Sequence, residues 1–378
     1  MPGRGPRAEE RGLPERKSYD CVVVGAGSFG AWTALRLRQA GRSVALVDAR
    51  GAGNPLSSSG GASRLIRMGY GSDEIYTRWA MRSLEAWREL FARVGRPELF
   101  QPTGVLWTAR SGHPHARHSL AILEKLKLPH ESLSPSEMRR RYPQLHCSGD
   151  VIAILEPGSG VLLAHRAVRA VAQEAERRGV EILSAQVTPA MPPFAAGETI
   201  FACGPWLPKL FPEVVGSRIQ VTRQPVFYFD APASAMPAWI DFSDPRGAYS
   251  VPPLDGQGFK LALDRHGPAF DPDTGSREAT AAETAEASAF LRERFPALAG
   301  APLVRAEVCQ YESTCTGDFL IDRHPELPHV WLVGGGSGHG FKHGPAVGEY
   351  VARMLDGAAA DPRFSWQSKT AAFSRTVY

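Results

Sequence analysis

The sequence predicts an α/β fold organised around a nucleotide-binding βαβ unit, and three observations carry that reading. The first is the run Tyr19-Asp-Cys-Val-Val-Val-Gly25-Ala-Gly27-Ser-Phe-Gly30, an apolar strand that empties into G-x-G-x-x-G and then into helix-forming sequence. Those glycines let a backbone approach a pyrophosphate at a helix N-terminus. The second is Asp48, which closes the next apolar run, Ser43 to Val47, about 20 residues on, where an acid takes a ribose hydroxyl. The third is a second strand, His329 to Val333, that also empties into glycines, Gly334 to Gly340. Strand, glycines, helix and acid at this spacing point to a dinucleotide.

The elements follow in order. The first βαβ unit covers residues 19 to 50, and a glycine and serine loop runs from Leu56 to Ser63. Asp73 to Val94 reads as a helix, with apolar residues at Trp79, Met81, Leu84, Trp87, Leu90 and Phe91 on a helical period. A strand is expected at Gly104 to Trp107 and a helix near Leu120 to Leu126. The next helix opens at Ser134-Pro-Ser-Glu137, where serine caps, proline suits the first turn and glutamate completes a capping box. A strand at Val161 to Leu163, a helix from His165 to Arg178 and strands at 180–183 and 199–203 restore the alternation. Residues 219–230 and 248–264 alternate in the β manner. Thr280 and Glu283 form a second capping box at the head of a helix reaching Phe295, and the last helix spans Pro345 to Leu355.

Composition limits what such a chain does. Its 378 residues suffice for two domains, and 43% hydrophobic with 22% charged residues describes an ordinary globule. A net charge of +4, with arginines interleaved among glutamates, gives no nucleic-acid surface. Five cysteines without paired spacing indicate a reducing, cytoplasmic setting. Residues 1–17 read as a disordered tail and no window spans a membrane. A G-x-S-x-G nucleophile elbow is absent, which removes a serine-hydrolase reading. His113, His115 and His118 read as a solvated polar loop rather than metal ligands.

Six stretches in order along the chain resemble the monomeric sarcosine oxidase group of the D-amino-acid-oxidase-like flavoproteins. They are Val24-Gly-Ala-Gly-Ser28, Ser63-Arg64-Leu-Ile-Arg67, Glu156-Pro-Gly-Ser-Gly-Val161, Ala202-Cys-Gly-Pro-Trp206, Cys309-Gln-Tyr311 and Ser337-Gly-His-Gly-Phe-Lys342. The resemblance implies a Rossmann-like FAD-binding domain (19–90, 148–206 and 318–360) interleaved with an antiparallel-sheet substrate domain (91–147 and 207–317). It implies FAD held by Gly25, Gly27, Ser28, Phe29, Gly30, Asp48, Ala49, Ser63, Arg64, Val187, Gly204, Trp206, Gly338, Gly340, Phe341 and Lys342. The family activity is oxidation of a secondary α-amino acid, N-methyl or cyclic, to an imine, with O2 reduced to H2O2, by a monomer.

The resemblance also distributes roles. Cys309 corresponds to the cysteine that forms a thioether to the flavin, and Cys315 is its competitor; Cys21, Cys147 and Cys203 read as core or near-surface residues. Arg67 and Lys342 correspond to a carboxylate clamp, a task suited to a planar guanidinium beside a movable ammonium. Lys260 corresponds to the lysine that assists O2, where a buried cation stabilises the superoxide formed first. Arg64 corresponds to an arginine against the flavin ring, and Tyr249 and Tyr311 to aromatics lining the substrate cavity. Bland alternatives stand beside these: an exposed strand lysine at 260, a surface ion pair at Arg67, core aromatics at 249 and 311.

Three departures are visible. Thr188 to Gly197 forms a short bridge where the family carries a small β-meander. Gly60 and Asp264, the latter followed by His266, stand where close relatives place histidines, which argues for a larger or more basic substrate than sarcosine. Two other readings compete: a non-covalent dehydrogenase of the same fold passing electrons to a quinone or carrier, and a non-catalytic flavoprotein acting as a binding module.

Overall fold

The computed structural model describes residues 17–147, 149–189, 195–370 and 372. Residues 1–16 and the centre of the 188–197 bridge lie outside the described residues. Lys17, counted with the tail from sequence, is described, and its ammonium bonds the Glu181 carboxylate at 2.7 Å.

A six-stranded sheet carries the glycine motifs. Its order is Leu320–Arg323, Val330–Gly334, Ala195–Phe201, Ser18–Val24, Val44–Val47, Glu181–Leu183, and every pairing is parallel except the one at the Leu320–Arg323 edge. Parallel strands are covered on both faces, which is why they read as unbroken Val, Leu and Ile runs. Cys21, Val23 and Leu46 face the helices Ser28–Gln39 and Ala164–Arg177, whereas Val22, Val24 and Val47 pack with Phe201, Phe211 and Leu207 on the opposite side. Ala195 to Gly197, assigned to the bridge from sequence, already belong to the sheet, with Ala195 and Ala196 paired to Ser18 and Tyr19.

The strand Ser18–Val24 ends at Gly25, whose φ is +102°, and an added Cβ would lie 2.4 Å from the Ala202 carbonyl oxygen. Only glycine accepts both conditions. Gly25→Ala is therefore expected to destabilise the protein by about 1–3 kcal/mol, read as a lower urea midpoint with an unchanged slope. A stability equal to wild type would refute this account of the turn.

The second sheet has eight strands in the order Leu303–Thr314, Ile219–Phe229, Phe259–Leu263, Ala248–Val251, Ala238–Asp241, Val105–Arg110, Val151–Glu156, Glu131–Leu133. It is antiparallel except where Ala238–Asp241 lies parallel to Val105–Arg110. Val151–Glu156, placed with the first domain from sequence, pairs with Val105–Arg110 and so belongs to this sheet. Arg64–Ile66, Gly160–Leu162 and Phe100–Gln101 form a small third sheet.

Both capping boxes form as the sequence predicts. Glu137 N donates to Ser134 Oγ at 3.3 Å and Ser134 N to Glu137 Oε2 at 2.9 Å, with the equivalent pair at Thr280 and Glu283. The expected helix near 120 begins earlier, as Pro114–Lys125, because Pro114 pre-sets the first turn. His115 and His118 thus lie on a helix, with His113 at its N-cap, not in a polar loop.

Candidate active site

The carboxyl ends of the parallel strands open into one long cleft, lined by Val24, Val47, Ala202 and Val333 where four strands stop. That is where ligands sit in open α/β sheets. The helix Ser28–Gln39 points its N-terminus into the cleft, and its N-cap residue, Gly27, offers no side-chain cap. Asp48 sits at one end. Its oxygens accept from Ala26 N at 2.7 Å and Arg50 N at 2.8 Å, and each oxygen keeps a lone pair for a further donor.

Of the residues expected to hold a cofactor, Gly25, Gly27, Ser28, Phe29, Asp48, Ala49, Arg64, Val187, Gly204, Trp206, Gly338, Gly340 and Phe341 line this cleft. Three do not. Gly30 is packed against the Gly25 carbonyl, only 1.8 Å from where its own Cβ would be, so its part is close packing. Ser63 lies against Lys260, and Lys342 lines a different cavity. Sequence reasoning missed Arg50, which lies over the Trp206 ring at 5.5 Å, and Glu312. Glu312 Oε1 accepts from Gly336 N, its Oε2 has no hydrogen-bond partner, and burial pushes its carboxyl up to about 7. A carboxyl protonated near neutrality is ready to donate to a ligand in the cleft.

Cys309 lies where the cleft meets a smaller cavity, and it lines both. Arg64 Nη2 approaches its sulfur at 3.2 Å and bonds the Ser58 carbonyl at 2.6 Å, while Nη1 bonds the Ser63 carbonyl at 2.7 Å. Cys315, the competitor, is buried against the C-terminal segment, accepts from Thr370 N and lines neither cavity. Cys203, read as plain core, lines the cleft with its sulfur 3.4 Å from the Val24 carbonyl.

The smaller cavity, of about 70 Å³, gathers Arg67, Tyr249, Asp264, Tyr311 and Lys342. Arg67 follows the short strand Arg64–Ile66 and is 3% exposed. Among the described residues its guanidinium has no hydrogen bond or ion pair; it stacks over Tyr70 at 4.6 Å and lies 5.8 Å from the Phe242 ring. Glu156, at 1% exposure, holds the backbone just beyond it. Its carboxylate accepts from Met68 N, Gly69 N, Ser159 Oγ and Trp107 Nε1 within 3.1 Å. This positioning role was not readable from the motif.

Lys342 lies in the 3-10 turn Phe341–His343, and its ammonium donates to Tyr70 Oη at 2.8 Å and the His339 carbonyl at 3.0 Å. Burial, reinforced by Arg67, holds its pKa well below the ordinary lysine value, a state that an anion bound between the two would reverse. Tyr311 donates to Asp264 Oδ1 at 2.7 Å, and burial raises the Asp264 carboxyl to about 6. Gly60 lines neither cavity. A Cβ there would meet the Asn54 carbonyl oxygen at 2.1 Å, so neighbouring backbone closes off the position.

Lys260 is 2% exposed, not an exposed strand lysine. Its ammonium donates to the Ser63 carbonyl at 2.9 Å and Ser63 Oγ at 3.3 Å, lies 5.3 Å from the Tyr249 ring and is pushed by burial down to about 7. It lines a third, small cavity with Leu163, Tyr228, Val251 and Leu254, on neither the cleft nor the Arg67 cavity. No described helix is long and apolar enough to cross a membrane.

The chain is similar to known proteins along most of its length. The family model for FAD dependent oxidoreductases (DAO) matches residues 20–354. Over 359 residues the chain is 33% identical to the monomeric sarcosine oxidase of Bacillus sp. (strain B-0618), covering 89% of this chain and 92% of that protein. It is 27% identical over 360 residues to the N-methyl-L-tryptophan oxidase of Yersinia pestis (strain Pestoides F), across 88% and 94% of the two chains. Among solved structures, L-proline dehydrogenase from P. horikoshii superposes with a TM-score of 0.80 at 23% identity, over 94% of this chain and 98% of that one, a likeness of fold. The chain belongs to the FAD dependent oxidoreductase family.

Proposed function

We propose that this FAD dependent oxidoreductase oxidises a secondary α-amino acid, N-methyl or cyclic, to an imine and reduces O2 to H2O2. One observation carries the reading: Arg67, a buried guanidinium with no hydrogen bond or ion pair among the described residues, lines a cavity beside the cleft together with Lys342. A free buried cation is costly, and a substrate carboxylate offsets that cost by pairing bidentately with the planar fork. Bound FAD would supply the two-electron acceptor for the substrate's C–H bond and the donor to O2. Cleft residues fit it: the uncapped helix at Ser28 suits a pyrophosphate, Asp48 retains lone pairs for ribose hydroxyls, and the unbonded Glu312 oxygen awaits a polar partner.

The chain's own groups divide the work. Arg67 and Lys342 anchor the carboxylate and orient a carbon next to nitrogen toward the cleft; Tyr249 and Tyr311 wall the cavity.

Cys309 is the attachment point we propose for the cofactor, supported by its place at the junction of cleft and cavity. Acid precipitation of the wild type is expected to give a yellow pellet, and of Cys309→Ser a white pellet under yellow supernatant. Colour released from the wild type would overturn the attachment and favour the non-covalent dehydrogenase. The oxidase reading itself is tested by adding sarcosine, N-methylalanine, proline or pipecolate without oxygen. At least one should bleach the flavin, and admitted O2 should restore the colour with one peroxide per turnover; failure with all four would sink it.

A further inference from the structure

Among the described residues lining the Arg67 cavity, Asp264 is the one acid. It directly follows the strand Phe259–Leu263, and the other titratable groups on the cavity wall come from neighbouring elements. Arg64 lies in the small sheet and Arg67 just beyond it, Lys342 in the 3-10 turn with His339 shortly before it, Cys309 and Tyr311 in the strand Leu303–Thr314 and Tyr249 in the strand Ala248–Val251. Tyr311 and Tyr249 are held neutral by burial, and His266, two residues on, does not line the cavity. Tyr311 occupies Asp264 Oδ1, while Oδ2 takes no bond from any described residue. Asp264 is half-buried at the wall of the substrate cavity, and its free oxygen can accept a polar partner there.

A zwitterionic amino acid supplies that partner. With its carboxylate on Arg67 and Lys342, its ammonium group would otherwise lie among cations in a water-poor cavity, where repulsion is strong. Resting on the oxidase reading above, we propose that Asp264 Oδ2 binds the substrate's ammonium group and takes one proton from it before the C–H bond breaks. The N–H bond breaks and an O–H bond forms. Its electron pair stays on nitrogen as the lone pair that drives imine formation, and Asp264 becomes a neutral acid still bonded by Tyr311. The proton leaves to solvent when the imine departs. Asp264 is then a catalytic residue, and the change from a histidine to an acid at this position sets a preference for substrates that arrive as cations at nitrogen.

Two ligands separate this role from a structural one. Propionate carries the carboxylate alone, and sarcosine or proline carries both charges. In the wild-type holoenzyme, followed by perturbation of the flavin spectrum, propionate binding should weaken as pH rises through about 6, because the ionised acid repels an anion, while amino-acid binding should strengthen over the same range. In Asp264→Asn, which keeps an acceptor for Tyr311, both trends should flatten, and amino-acid affinity at pH 8 should fall at least about thirtyfold with propionate affinity equal or higher. Equal loss for both ligands, or a propionate profile without the break in the wild type, would overturn the assignment; the wild-type profile tests it even if the variant folds poorly. Absence of flavin reduction by any secondary amino acid in the wild type would instead overturn the oxidase reading beneath it.

Discussion

Lys260→Met is expected to slow consumption of O2 by the reduced enzyme about 10²–10³-fold, the loss seen when one preorganised charge-stabilising group is removed. The anaerobic step, in which the amino acid reduces the enzyme, should proceed at the wild-type rate. This split follows from where the side chain points. Lys260 lines the small cavity behind Tyr249 and not the cavity that holds Arg67 and Asp264. Its ammonium is anchored on the Ser63 carbonyl and hydroxyl, so the charge is fixed in place before O2 arrives. Burial lowers its pKa to about 7, so the cationic form dominates below that pH and is lost as pH rises through it. The O2 reaction of the wild type should therefore decline toward high pH. Negative charge accumulating beside the lysine would move that limb upward, and in Lys260→Met the limb should disappear. Equal slowing of both half-reactions would instead make Lys260 a structural residue of the substrate cavity.

What could be read in the sequence divides along a physical line. Features imposed by backbone geometry were legible, because a close approach at Gly25 or a capping box at Ser134 restricts residue type locally. The strand Leu303–Thr314 was not recognised as one, because Arg305, Glu307 and Glu312 interrupt its apolar pattern, and an edge strand tolerates them. Residues whose task exists only in three dimensions were hidden as well. Glu156 looked like a motif letter, yet four donors converge on it to fix the backbone beyond Arg67. Glu312 carried no signal, since only the fold turns its free oxygen toward the cleft. The two histidine replacements looked equivalent in sequence and are not. Gly60 is filled by the Asn54–Pro55 backbone, whereas Asp264 reaches the substrate cavity.

Arg67→Met should lower kcat/KM for the amino acid by about 2–5 kcal/mol, roughly thirtyfold to several thousandfold, because the substrate carboxylate would enter the cavity without its bidentate partner. Propionate should lose its spectral effect to a similar degree, while O2 consumption by enzyme reduced with dithionite stays unchanged. Arg67→Lys should recover only part of the loss, since an ammonium restores the charge without the planar fork. Stability decides between a clamp and a structural arginine. A structural arginine is paired, and deleting it strands a buried carboxylate or carbonyl, which costs several kcal/mol. Among the described residues Arg67 has no hydrogen bond or ion pair, and its guanidinium lies against the faces of Tyr70 and Phe242, against which methionine also packs. Removing an unpaired buried cation relieves a desolvation cost, so Arg67→Met should melt at the wild-type temperature or above it. A variant that loses activity and gains stability identifies a residue held under strain for its ligand. One that loses both would mean that Arg67 supports the fold and that the carboxylate binds elsewhere.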